Sequence, residues 1–162
     1  MTTITLPQRI NVEADQFRPG LLCLIEDTWC VINGNYYELK TGFYFDGMSM
    51  PRFLWSIMGH PFSIDMIIQV LWHDVFFGTH FFEQSKCDEL LELMSVQRNL
   101  DWEEHKIDCR ISWTKRKLIH AGLRTFGWIA YKRKTIEQII GCSKHLFIND
   151  KQFNPSIIPI GA

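Results

Sequence analysis

WCVINGNYYELKTGFYF, residues 29–45, decides the fold class. Asn33-Gly34 lies between two runs rich in β-branched and aromatic residues, and Asn and Gly tolerate the positive φ that a two-residue hairpin turn requires. The stretch therefore predicts a tight hairpin, with WCVI (29–32) pairing back on YYELK (36–40). Thr41-Gly42 turns the chain again, and FYF (43–45) reads as a further strand. Upstream, LLCLIE (21–26) reads as a strand that Asp27-Thr28 breaks. These runs together predict an antiparallel β-meander over about the first 49 residues.

Past residue 50 the apolar period changes to that of helices. Ser63 is a predicted N-cap and Gly78 a predicted C-cap of a helix whose apolar face is Ile64, Ile67, Ile68, Leu71 and Val75. A second helix is predicted from Ser85 to about Gln97, with Cys87, Leu90, Leu91 and Met94 inward, and a third from about Trp102 to Arg124. The segment after Gly141 is expected to be loosely ordered, with its isoleucines docking on the body. The expected class is α+β: an N-terminal antiparallel β-meander followed by a C-terminal bundle of three or more helices. One domain spans 1–162, with a β-rich part to about 49, a helical part from about 50 to 145 and a tail over 146–162.

The 162 residues are enough for one sizeable core, and the 14% aromatic content fits a filled core rather than a disordered chain. The formal net charge of −1 selects no class of partner. No window reaches the roughly 18 apolar residues of a membrane span. MTTITLPQRI, residues 1–10, has neither the basic start nor the apolar run of a secretory signal. The five cysteines include no C-x-x-C pair, which fits reduced thiols in a cytosolic compartment. No phosphate-binding glycine loop and no G-x-S-x-G elbow occurs.

Two stretches carry possible chemistry. YFDGMSMPRFLW (44–55) places Asp46, Gly47, Ser49, Pro51 and Arg52 at the exit of the last strand. That composition suits a turn into a short helix begun by Pro51 and holding Phe53, Leu54 and Trp55. WHDVFFGTHFFEQSKCDELL (72–91) puts His73 and Asp74 side by side in an apolar helix and Asp88 in the first turn of the next. An antiparallel pair of helices would return Asp88 to His73. A carboxylate on one ring nitrogen fixes the tautomer, so the other nitrogen can act as a general base. The same groups suit a metal, oxygen donors favouring calcium or magnesium and imidazole favouring zinc or iron. They equally suit a hydrogen-bond network between helices with no chemistry.

GFYFDGMSMPRFLW, WHDVFF, CDELLELM and GLRTFGWIAYKR, in that order between Gly42 and Arg133, resemble the motifs of a phage and bacterial family catalogued as domain of unknown function 1353. That family has a Thr-Asp-Gly-x-Ser-x-Pro turn, a His-Asp-x-x-Tyr helix and an Ala-Asp pair opening the next helix. Here Phe45, Phe77 and Cys87 stand at the threonine, tyrosine and alanine positions. The resemblance implies a phage-encoded protein of the host cytoplasm or the virion, and no settled activity. The His-Asp-x-x-Tyr helix with a supporting aspartate also resembles phospholipases of the A2 type. That likeness implies His73 as catalytic base, Asp88 as its orienter and Asp74 as a calcium ligand, with the Asp46–Ser49 turn as a candidate metal loop. The site as a whole is expected to take a divalent metal, calcium or zinc, with Asp46 and Asp74 as ligands.

From Cys109 to Ile136 there is no Asp or Glu, and eight cations are interleaved with Trp113, Phe126, Trp128 and Tyr131. Arg110, Lys117 and Arg124 are seven apart and so share one helix face. Such a face suits phosphates of nucleic acid or an anionic lipid surface, or is simply a solvated face. Two functions follow. One is a small His/Asp-based, metal-dependent hydrolase whose site gathers Asp46, His73, Asp74 and Asp88, with Ser49 and Arg52 contacting substrate. The other is a non-enzymatic phage protein that binds a host factor or joins the particle, its polar cluster being architectural.

Overall fold

The Asn33-Gly34 hairpin forms. The computed structural model describes residues 2–17, 20–46, 66–105, 111–133 and 136–154. In it, β4 (Thr28–Ile32) and β5 (Asn35–Leu39) pair antiparallel from Ile32↔Asn35 to Thr28↔Leu39. Asn33 and Gly34 have φ of 52° and 80°, the two positive values of a type I′ turn. Thr28, Cys30, Ile32, Tyr37 and Leu39 point into the core, while Trp29 stacks on Tyr36 across the other face at 6.2 Å.

The same register continues beyond the hairpin. In β3 (Leu22–Leu24) and β6 (Tyr44–Phe45), Cys23 pairs with Tyr44 and Leu22 with Phe45. Residues 25–27 and 40–42 interrupt this one long hairpin, and side chains replace the ladder there. Asp27 accepts the Thr41 backbone N–H at 2.8 Å and the Lys40 ammonium at 2.9 Å, and the Thr41 hydroxyl donates to the Leu24 carbonyl at 3.1 Å. Gly42, at φ 84°, takes a left-handed conformation that a side chain would strain.

The interruption divides the predicted meander into two antiparallel sheets. The larger has the order β1–β4–β5–β7–β8, where β1 is Ile4–Thr5, β7 is Leu146–Ile148 and β8 is Lys151–Gln152. The smaller has the order β2–β3–β6, where β2 is Val12–Ala14. The chain after Gly141 thus differs from its expected loose order. β7 pairs with β5 and carries the fully buried Leu146, and Asn149 and Asp150 (φ 46° and 66°) make a second positive-φ turn into β8. Asn149 also clasps the other hairpin, its side chain accepting the Tyr36 backbone N–H at 3.0 Å.

Four helices are described: α1 (Ile67–Gly78), α2 (Gln84–His105), α3 (Trp113–Arg133) and α4 (Ile136–Ser143). α1 is not the one-faced helix that the spacing predicts. Residues 68–73 and 75–78 are all buried, because α1 packs against α2, α4 and β6 at once. An aromatic cluster ties it to the larger sheet, with Tyr37 edge-on to Phe76 at 5.4 Å and to Phe81 at 5.7 Å. α2 runs on past the expected end, so Trp102 belongs to it rather than to α3. α3 begins after Ser112, whose hydroxyl accepts the Lys115 backbone N–H at 3.2 Å as an N-cap. The Ser63 cap and the short helix after Pro51 lie outside the described residues.

Candidate functional site

α1 ends in a way that fixes where α2 begins. The Phe81 N–H donates to the Phe76 carbonyl and the His80 N–H to the Phe77 carbonyl, and His80 has φ 52°. This is a Schellman ending, with Phe81 and Phe76 in the accompanying apolar contact at 6.0 Å. The left-handed residue is therefore His80; Gly78, the predicted cap, is the last helical residue and is buried. The reversal lays α2 along α1.

Asp88 consequently returns to His73. His73 Nε2 lies 3.1 Å from Asp88 Oδ1, and both residues are buried, at 4% and 1% exposure. On the other edge of the ring, Nδ1 lies 3.6 Å from Asp74 Oδ1, which is too long for a hydrogen bond and so is an electrostatic contact. The Phe77 ring tilts against the imidazole at 5.4 Å. Burial works against charge on His73, but the Asp74 and Asp88 carboxylates outweigh it and raise its pKa from 6.5 to about 9. The neighbouring Cys87 thiol is pushed up, chiefly by burial.

The other predicted site residues divide differently. Asp46 is exposed just beyond β6, and the carboxylates acting on His73 are Asp74 and Asp88. Ser49, Arg52 and Arg110 lie outside the described residues. Among the described residues no three His, Cys, Asp or Glu side chains are grouped so as to hold a metal ion. Arg124 is exposed on α3. Lys117 pairs with Glu92 of α2 at 2.5 Å, which holds the Glu92 carboxyl below its usual range. The acid that balances this part of the basic stripe sits on the neighbouring helix, where a search along α3 alone does not find it. No helix of the described residues is long and apolar enough to cross a membrane.

Three polar residues hold the frame of this site without any motif to announce them. Arg98 is 8% exposed and donates to the Pro7 and Gln8 carbonyls, fastening α2 to the N-terminal segment. Asn99 brackets Ile111, accepting its N–H at 3.0 Å and donating to its carbonyl at 2.8 Å. His120 lies 3.5 Å from Glu92 through Nδ1. Each joins positions far apart in the chain, so spacing could not reveal them. Compared with known protein families, curated proteins and solved structures, the chain finds no match.

Proposed function

We propose that this protein acts by binding a partner rather than by catalysis, and that His73, Asp74 and Asp88 form an ionic brace between α1 and α2. The observation that carries the reading is a carboxylate at each ring nitrogen of an imidazole only 4% exposed. With its pKa raised to about 9, His73 is an imidazolium at neutral pH and has no lone pair with which to act as a base. The surface offers a different resource. Trp113 is 66% exposed at the start of α3, and Val96 and Leu100 are 37% and 52% exposed on α2. The Glu92–Lys117 and Asn99–Ile111 contacts set an antiparallel register that brings these three to the same end of the helical hairpin. An exposed tryptophan flanked by aliphatic residues is a common anchor of protein interfaces. The resemblance to a phage family supports a host protein as the partner, met in the host cytoplasm.

One observation favours the hydrolase as a second reading. The 3.1 Å His73–Asp88 contact is the geometry of a base and its orienter, and Nδ1 has no described hydrogen-bond partner. The two readings separate in one experiment. Ester, phosphodiester and peptide hydrolysis are measured with and without calcium or zinc, alongside the melting of wild type and His73→Asn. Lost stability with no His73-dependent turnover is expected. Turnover that rises as the pH passes about 9, and that His73→Asn abolishes at an unchanged melting temperature, would instead establish the hydrolase.

A further inference from the structure

Between α2 and α3 lies a small cavity of about 10 Å³, lined by Asp88, Leu91, Glu92, Ser95, Arg116, Ile119 and His120. Two buried atoms on its lining residues have no hydrogen-bond partner among the described residues: Asp88 Oδ2 and His120 Nε2. Asp88 is 1% exposed, so solvent at the surface does not satisfy its second oxygen. A buried carboxylate oxygen left unpaired is strongly unfavourable, because it gives up its hydration without a replacement. The volume is close to the roughly 10–15 Å³ needed to hold one water.

We infer that this cavity is a binding site for a single structural water, held by Asp88 and His120, that links the His73 pair to the exposed side of α3. The charges on its walls choose the occupant. Asp88 already faces His73, and Glu92 already faces Lys117, while Arg116 adds a further positive charge. A cation would therefore meet carboxylates already matched, and an anion would meet two carboxylates. A neutral molecule of water size meets neither penalty. His120 Nδ1 faces the Glu92 carboxylate at 3.5 Å, which favours the tautomer with its proton on Nδ1 and its acceptor lone pair on Nε2. The water then donates one hydrogen to His120 Nε2 and the other to Asp88 Oδ2, leaving its lone pairs for the Arg116 guanidinium on the cavity wall, since the Ser95 hydroxyl already donates to the Leu91 carbonyl at 2.8 Å. The result is an unbroken polar chain: His73, Asp88, water, His120, Glu92, Lys117. It crosses three helices and ends at an ammonium that is 48% exposed. The inference stands apart from the binding role proposed above, since a catalytic His73 would leave the cavity and its lining unchanged.

The test uses the full chain labelled at Leu and Ile methyls. A nuclear Overhauser cross peak between a long-lived water and the Leu91 and Ile119 methyls is expected in wild type. It should vanish in His120→Leu and persist in His120→Gln, whose amide can take the same hydrogen bond. A crystal structure should show one oxygen within hydrogen-bond distance of both Asp88 Oδ2 and His120 Nε2. No cross peak in wild type, no such oxygen where other buried waters are resolved, or a cross peak that survives in His120→Leu would each overturn the site. If His120→Leu does not fold, the wild-type cross peak, its persistence in His120→Gln and the crystal oxygen still decide the question.

Discussion

A histidine buried in an apolar helix ordinarily gives up its proton, because burial penalises charge. His73 keeps its charge because a carboxylate faces each edge of its ring, Asp88 at Nε2 and Asp74 at Nδ1. The consequence for stability has a definite sign. The folded pKa, about 9, lies above the ordinary 6.5, so folding favours the charged form. The stabilisation, on the order of 3 kcal/mol, is complete below about pH 6.5 and is lost as the pH rises through about 9. Denaturant unfolding across that window should show wild type weakening toward alkaline pH. The same titration of His73→Asn should be nearly flat over the window. That variant leaves two carboxylates facing each other without a cation, and should cost about 3–5 kcal/mol. Asp74→Asn should cost less than Asp88→Asn, because Asp74 is 13% exposed and its contact is longer. An order reversed between the two aspartates would show that the Nδ1 edge, rather than the Nε2 edge, carries the brace. The pairing of His73 with Asp88 was legible in the sequence as a fifteen-residue return across a helix pair. The surroundings of Asp46 were not legible, because the spacing gives no direction to the exit of a strand.

Among elements, the turns were read well and the helix ends poorly, for one physical reason. A type I′ turn needs positive φ at two adjacent residues, and Asn33-Gly34 states that locally. Asn149-Asp150 adopts the same signs with a less suitable second residue. Replacing Asp150 by Gly should therefore stabilise the fold by roughly 0.5–1 kcal/mol, and Gly34→Ala should cost about 1 kcal/mol, both read from thermal melts. A stabilising Gly34→Ala would mean that the first hairpin is not under this constraint. Helix boundaries depend on partners elsewhere. Asn99 fixes where the chain re-enters at Ile111, and nothing near Ile111 in sequence predicts it. The basic stripe of α3 shows the same dependence. Lys117 is neutralised by Glu92, so Glu92→Gln should release one cation. If this face meets phosphate at all, that change should steepen the log–log salt dependence of DNA binding by about 0.9. An unchanged slope would leave the face as a solvated one.

At the scale of the whole molecule, the α+β class followed from the switch of apolar period near residue 50, but the closure of the sheet did not. The two ends of the described chain both add strands to the same sheet. β1 lies on one side of the central hairpin and β7 on the other, so β5 is an inner strand only because residues 146–148 return to it. Local patterns carry no record of so distant a pairing, and a short run such as LFI, 146–148, reads equally well as tail. The return brings Leu146 to zero exposure and sets Phe153 edge-on to Phe81 at 5.0 Å, next to the aromatic cluster that joins sheet to α1. A chain ending at Ser143 should therefore lose more than a loose tail. Its β5 would become an open edge carrying Tyr37 and Leu39, and the lost apolar burial and backbone pairing amount to something on the order of 5 kcal/mol. That is comparable with the whole stability of a small domain. The truncated chain should melt far below the full one, without a single cooperative transition, and should self-associate on size exclusion through the uncovered strand. Leu146→Ala separates packing from pairing. It keeps the strand, should cost about 2–5 kcal/mol, and should remain monomeric. A truncated chain that stays monomeric and melts within a few degrees of the full one would show that the C-terminal hairpin only decorates a sheet already complete without it.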